Sequence, residues 1–290
     1  MGLARRHVTG PDGTSDPGRA VGRTAVIGDV GGHTEDLRRE LARLGADPDT
    51  GRLPDDLTVI QVGDLIHRGP DSVGVVELVD GYLRQQPEQW IQLVGNHEAQ
   101  YLRAPAFDWP ERLGGPVVET LRRWWADGQM LAAASVAGHD ENFLVTHAGL
   151  THGFWHAVLD RLVHADRVAA ALNSLIGSHE DVLFNAGQML GRRKPDPMAG
   201  PVWAAAATEL VPSWIGSRMP FSQIHGHASI YDWQQQRFRG PKEVTRLTTV
   251  DEEAKHETST LEGGRIIGID PGHSGQAQVS WRAWMIETAR

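Results

Sequence analysis

Apolar residues run along this chain in short blocks that stop at glycine followed by an acidic or amide side chain. Thr24 to Val30 is a β-rich run containing Gly28-Asp29; Gly31 and Gly32 then turn the chain, and Thr34 can cap a helix carrying Leu37, Leu41 and Leu44 on one face. Gly45 is placed to stop that helix. Leu57 to Val62 predicts a second strand, ending at Gly63-Asp64 and followed by the helical pattern Val75, Val76, Leu78, Val79, Leu83. Trp90 to Val94 predicts a third, with Gly95-Asn96-His97-Glu98 as its loop and a helix from about Ala99. Strand, polar loop and helix in succession imply parallel strands with ligands bound at their carboxyl ends.

Asn142 to Thr146 predicts a fourth strand, ending at His147-Ala148-Gly149, and His152 to Gly177 a helix with Val168, Leu172, Leu175 and Ile176 as its apolar face. Phe221 to Ile224 leads to His225-Gly226-His227, and Arg265 to Asp270 is expected as the last strand, before Pro271-Gly272. Gln234 to Gly264 is polar and poorly periodic, which predicts edge strands joined by a mobile loop around Val250 to Leu261. Residues 1–22, rich in Gly, Pro, Arg and Asp, are expected to be a disordered lead-in to a single domain over 23–290.

Composition narrows the chemistry. The formal net charge is −9, with no block of lysines and arginines, so a nucleic-acid backbone is not the expected partner. No cysteine is present, which excludes disulfides and thiolate metal sites and leaves His, Asp, Glu and Asn as ligands. No stretch approaches the roughly 20 apolar residues that cross a bilayer, so no membrane partner and a cytoplasmic location are expected. Hard or borderline divalent cations bind the groups offered at the strand ends, and a carboxylate such as Asp64 can bridge two ions about 3.5–4 Å apart that acidify a shared water. Hydrolysis of a phosphate ester then needs a proton for the leaving oxygen, available from His97, and a fixed cation for the phosphoryl oxygens, available from Arg68.

The order GD, GDLIHRGPDS, GNHE, VTHAGL, GPVW, IHGH and IDPG, over roughly residues 24 to 275, resembles the phosphoprotein-phosphatase branch of the calcineurin-like metallophosphoesterases. That branch includes Ser/Thr phosphatases and the symmetrical bis(5′-nucleosyl)-tetraphosphatases. The resemblance implies an α+β four-layer fold, a central β-sandwich flanked by α-helices, and a centre of two divalent metal ions (Mn, Fe, Zn or Co). Position by position it makes Asp29 a ligand of the first metal, Asp64 the bridge, and Asn96, His147 and His227 ligands of the second. His97 becomes the general acid and Arg68 the phosphate-binding arginine, while Glu98 completes its motif without being a ligand.

Three positions depart from the family pattern. Gly31 stands where the first block normally has a metal-binding His, and His33 or His225 are the candidate replacements. His67 stands where protein phosphatases have an Asp that steadies the general acid, as it does not in the tetraphosphatases. Four alanines follow Trp203 where a phosphate-gripping arginine is usual, leaving Arg192, Arg193 or Arg218 to compensate. The expected activity is hydrolysis of phosphate monoesters, phospho-Ser/Thr proteins among them. The alternatives are a dinucleoside polyphosphate hydrolase and a pseudophosphatase that binds such ligands without turnover.

Overall fold

The computed structural model describes residues 21–191, 194–273 and 279–289. Its strands are β1 (Val21–Ile27), β2 (Leu57–Gln61), β3 (Trp90–Leu93), β4 (Met130–Leu131), β5 (Ala133–Ala137), β6 (Asn142–Thr146) and β7 (Ser222–His225). They continue with β8 (Tyr231–Asp232), β9 (Arg237–Phe238), β10 (Thr248–Asp251), β11 (His256–Leu261), β12 (Gly264–Gly268) and β13 (Trp284–Ala289). The helices that frame them include α1 (Thr34–Leu44), α2 (Ser72–Gln85), α3 (Asn96–Leu102), α4 (Gly115–Ala126), α5 (His152–Ala157) and α6 (Ala165–Ser174).

One sheet has the order β13-β1-β2-β3-β4, with β1 to β4 parallel and β13 antiparallel on β1. The other runs β10-β11-β12-β7-β6-β5, and its three central strands β12, β7 and β6 are parallel. Val26, Ile60, Val62 and Leu93 of the first sheet pack on Phe143, Val145, Ile224 and Ile267 of the second. The alternate residues Ala25, Ile27 and Val59 join a separate core with Leu37 and Leu41 of α1 and Val75 and Val79 of α2. Strands buried on both faces read as unbroken apolar runs, which is why β1 and β2 are legible without alternation. With α6 lying on β5 and β6, the layers are helix, sheet, sheet, helix, as the resemblance implies. Truncating an inter-sheet residue such as Ile224, fully buried, to Ala costs about 2–5 kcal/mol. Among the described residues no helix is long and apolar enough to cross a membrane.

Several boundaries differ from expectation. Val21 and Gly22, placed above in the lead-in, open β1 by pairing with Ala289 and Thr288, so β13 and not β12 is the last strand. Residues 1–20 lie outside the described residues. The helix expected over His152 to Gly177 is two, α5 and α6, because Asp160 (φ 46°) and Arg161 (φ 55°) turn left-handed between them. The expected mobile loop from Val250 to Leu261 is largely the hairpin β10–β11. Its polar residues are spent inside: Thr248 and Ser259 share a hydroxyl hydrogen bond of 2.7 Å, and buried Glu257 accepts the N–H groups of Ile230 and Tyr231. Such a hairpin has no apolar alternation to read.

Candidate metal centre

Six parallel strands, three from each sheet, deliver polar side chains to one cleft. Asp29 follows β1, Asp64 follows β2, and Asn96-His97 open α3 after β3; His147 follows β6, His227 follows β7 and Asp270 follows β12. All but Asp270, which is half-buried, are at most 8% exposed.

The tightest convergence surrounds the Asn96 amide oxygen, 2.9 Å from His227 Nδ1 and 3.1 Å from His147 Nε2. His147 Nε2 also lies 3.4 Å from Asp64 Oδ1, and Asp64, His147 and His227 form a group whose donor atoms are all within 4.8 Å of one another. The Val62 carbonyl, 3.0 Å from His147 Nδ1, accepts a hydrogen bond from the N–H there, the tautomer that leaves a lone pair on Nε2. The Asn96 amide thus lies against a lone pair of His147, and turned by half it would donate to both imidazoles and to Asp64. Carbonyl oxygen, carboxylate and two neutral imidazoles facing one point fit a divalent cation. Burial alone would raise the Asp64 carboxyl, but His147, His97 and His227 outweigh it and hold it at about 2.

Glu98, read above as completing its motif, is the brace of this half. Its carboxylate accepts the backbone N–H groups of Asp64 (2.8 Å), Leu65 (2.9 Å) and Gly95 (2.9 Å), tying the end of β2 to the start of α3. Glu98 sits at the third position of α3, where it caps Gly95, so the helix begins at Asn96 and not near Ala99. A Cβ at Gly95 would lie 2.2 Å from Asp64 Oδ1, so no other residue admits the carboxylate there. The Asp64 oxygen in turn accepts the His97 N–H at 2.9 Å, and the His97 Nε2 lies 3.8 Å from the other oxygen.

His67 takes up the place of the missing phosphatase Asp. Its Nδ1 is 2.6 Å from His97 Nδ1 and its Nε2 is 2.9 Å from the Tyr101 hydroxyl. Trp109 stacks on His67 at 5.6 Å and meets His97 edge-on at 4.8 Å. Tyr101, in α3, and Trp109, in an irregular segment, were not singled out from the sequence, where neither carries a motif. Burial lowers both imidazoles, His67 to about 4. Arg68 is exposed, with its guanidinium 5.4 Å from the Trp109 ring. Asp64, His67, Arg68 and His227 all have φ between 53° and 71°, the left-handed strain that non-glycine residues sustain mainly at functional sites.

The other half is looser. Asp29 accepts the His227 N–H at 3.0 Å, and burial pushes its carboxyl well above the usual range, with Asp270 and then Asp64 adding repulsion. Asp270 was expected only as part of the last strand; it is raised by burial too, and Arg68 opposes the shift. Three carboxylates against one guanidinium are a charge surplus that a divalent cation would neutralise. His33 is not brought to Asp29: among the described residues it groups with Asp36 and His273. His225 joins no ligand group either; buried in β7, it hydrogen-bonds the Gly226 carbonyl at 2.8 Å. Arg192 and Arg193 lie outside the described residues, and exposed Arg218 pairs with Glu262 at 3.4 Å, away from the cleft. Beside Ala205 to Ala207 the cleft holds instead Arg239, paired with Asp232 at 2.8 Å.

A fold with six strand ends at one cleft, and a donor set suited to divalent metal there, defines the class. Residues 22–189, more than half of the chain, match the family described as calcineurin-like phosphoesterase, and the chain belongs to that family. Over 136 residues it is 29% identical to the symmetrical bis(5′-nucleosyl)-tetraphosphatase of Photorhabdus laumondii. That alignment covers 44% of each protein, so the chain spans less than half the length of this curated relative. The crystal structure of the cold-active protein-tyrosine phosphatase of a psychrophilic Shewanella species shares the fold, with a TM-score of 0.52 at 14% identity over 88% of this chain and 74% of that one.

Proposed function

We propose that this chain is a metal-dependent phosphoesterase in which Asp64, Asn96, His147 and His227 hold one divalent ion and Asp29 and Asp64 a second, drawn from Mn, Fe, Zn or Co. The convergence of Asp64, His147 and His227, whose donor atoms all lie within 4.8 Å of one another beside the Asn96 amide, carries this reading. When bound, the ions supply Lewis acidity, neutralising phosphoryl oxygens and acidifying a water. Arg68 orients the phosphoryl group from the rim of the cleft. His97 delivers a proton to the leaving oxygen, and His67 and Tyr101 hold its ring in line. Metal counting with an aryl-phosphate assay on the wild type, Asp64→Asn and His97→Ala tests this. The expected result is chelator-sensitive hydrolysis lost in Asp64→Asn and weakened in His97→Ala; wild type with fewer than about one ion per chain and no chelator-sensitive turnover would leave only a binding role.

Phosphate monoesters are one substrate class; a second reading, dinucleoside polyphosphates, is favoured by the His67–His97 contact. A carboxylate partner would stabilise the imidazolium form of His97, whereas an imidazole partner does so poorly. A sparsely populated imidazolium suits a leaving group that needs little protonation, and a nucleotide phosphate is a far weaker base than an alkoxide. A cavity of about 450 Å³ beside His227 and Arg68, walled by Trp233, Tyr231 and Arg239, offers aromatic faces and a cation to such a substrate. Turnover of a phosphopeptide against diadenosine tetraphosphate, at equal enzyme with Mn²⁺, separates the two: faster phosphopeptide hydrolysis excludes the second.

A further inference from the structure

A second group of buried ligand atoms lies behind Arg68 and shares no residue with the Asp64 centre. His33 precedes α1, Asp36 is in its first turn, and His273 follows β12; they are 4%, 2% and 3% exposed. Their donor atoms all lie within 4.8 Å of one another, and His33 Nδ1 is 3.9 Å from Asp36 Oδ2. The two rings stack with centroids 4.3 Å apart and 15° between planes. Arg39 occupies the other Asp36 oxygen at 2.7 Å, and the Val279 N–H reaches Oδ2 only at 3.4 Å.

What sets the group apart is unmet polarity. Among the described residues, His33 Nε2 and both ring nitrogens of His273 are buried without a hydrogen-bond partner. Burying such nitrogens is unfavourable unless something satisfies them, and each neutral imidazole has one ring-nitrogen lone pair to offer. The loop geometry explains how the group arose. A Cβ at Gly31 (φ 53°) would stand 3.5 Å from the His273 Cβ and 3.6 Å from Arg68 Cδ, so His273 fills the space beside the family's usual histidine position. The His33 ring is wedged under Gly69, where a Cβ would meet its Cδ2 at 2.6 Å, and this fixes it on the His273 side.

We propose that His33, Asp36 and His273 form a further metal site, for a borderline divalent ion of the Zn²⁺ type, which ties α1 to the segment after β12 beneath Arg68. Two imidazole nitrogens and one carboxylate oxygen are a donor set such ions take, with water able to complete the coordination. Donors of a tetrahedral Zn²⁺ lie about 3.3 Å apart, and imidazole lone pairs lie in the ring plane, so closing the group takes a contraction of roughly 1.5 Å at most together with rotation of the two rings out of their stacked alignment. The Arg68 guanidinium reaches the His273 carbonyl at 3.5 Å, so the ion would steady the segment against which this arginine rests. The inference does not depend on the activity proposed above.

Metal content of the full chain after equilibration with Zn²⁺ and desalting tests it, on the wild type, His273→Ala, Asp64→Asn and the double variant. The expected result is one equivalent fewer in His273→Ala than in the wild type, with the same loss repeated in the Asp64→Asn background. Asp36→Asn, which preserves shape, is expected to weaken this Zn²⁺ by at least about tenfold, and it serves if His273→Ala does not fold. Wild-type stoichiometry in His273→Ala, or unchanged Zn²⁺ affinity in Asp36→Asn, means that only water meets these nitrogens and overturns the proposal. Loss of the His273 effect in the Asp64→Asn background overturns it too, because the histidines then serve the Asp64 ion.

Discussion

The loops after β2 and β3 and the loop after β1 reach the same cleft by different means. The first pair is cross-braced by one buried carboxylate: Glu98 gathers three N–H groups, and Asp64 adds the His97 N–H, so Asp64, Asn96 and His97 stand in fixed relation. Among the described residues no carboxylate gathers the N–H groups of the loop after β1, whose Gly28 carbonyl accepts from Gln61 Nε2 at 3.0 Å. Its glycines are held by backbone bonds, Gly31 N–H to the Asp64 carbonyl at 2.8 Å and Gly32 N–H to the Leu65 carbonyl at 2.7 Å. It keeps the position of Asp29 but leaves the next donor free to be placed by its surroundings, and His33 goes to His273. A braced loop keeps its ligands; a loop held by its backbone can redistribute them.

The comparison can be broken at its strongest point by Glu98→Gln, which sets an amide N–H₂ against backbone donors. Metal affinity of the Asp64 centre is expected to fall about tenfold to a hundredfold, and stability by about 1–3 kcal/mol, read by titration calorimetry and denaturant unfolding. Unchanged affinity would mean that the brace does not set the ligands. His67→Asp sharpens the same half. A carboxylate against His97 is expected to raise monoester hydrolysis relative to diadenosine tetraphosphate by about tenfold, and an unmoved ratio would show that His67 does not govern the acid.

The smallest effect near neutrality comes from His225, whose folded pKa of about 4 lies below its ordinary 6.5. The unfolded chain therefore binds the proton more readily, so the stability this group contributes is present above pH 6.5 and lost as pH falls toward 4. The loss should stay under about 1 kcal/mol between pH 7 and 6 and approach about 3 kcal/mol by pH 4. Thermal unfolding from pH 7 to 4 should decline less steeply in His225→Gln; equal slopes would mean that other groups carry the acid sensitivity.

Most of the parallel-strand framework was legible because each strand is buried on both faces and ends in a short polar motif. Asp29, Asp64, Asn96, His97, His147 and His227 are brought together where those motifs predicted. What escaped has a physical reason in each case. Asp270 looked like strand because nothing local distinguishes a carboxylate at the cleft from one in a turn. Tyr101 and Trp109 reach His67 only through the fold, and β13 pairs across more than 250 residues of chain with β1. The β10–β11 hairpin hides its pattern in buried hydroxyls, and His33 and His273 meet only because β12 ends opposite the loop after β1.

On this reading the braced half holds a cation among Asp64, Asn96, His147 and His227. Crystals grown with Mn²⁺ and measured for anomalous scattering test it most directly. An anomalous peak is expected within coordination distance of the Asn96 amide oxygen, His147 Nε2 and His227 Nδ1. Well-ordered side chains at these positions without a peak, with the Asn96 amide turned to donate to both histidines, would contradict it.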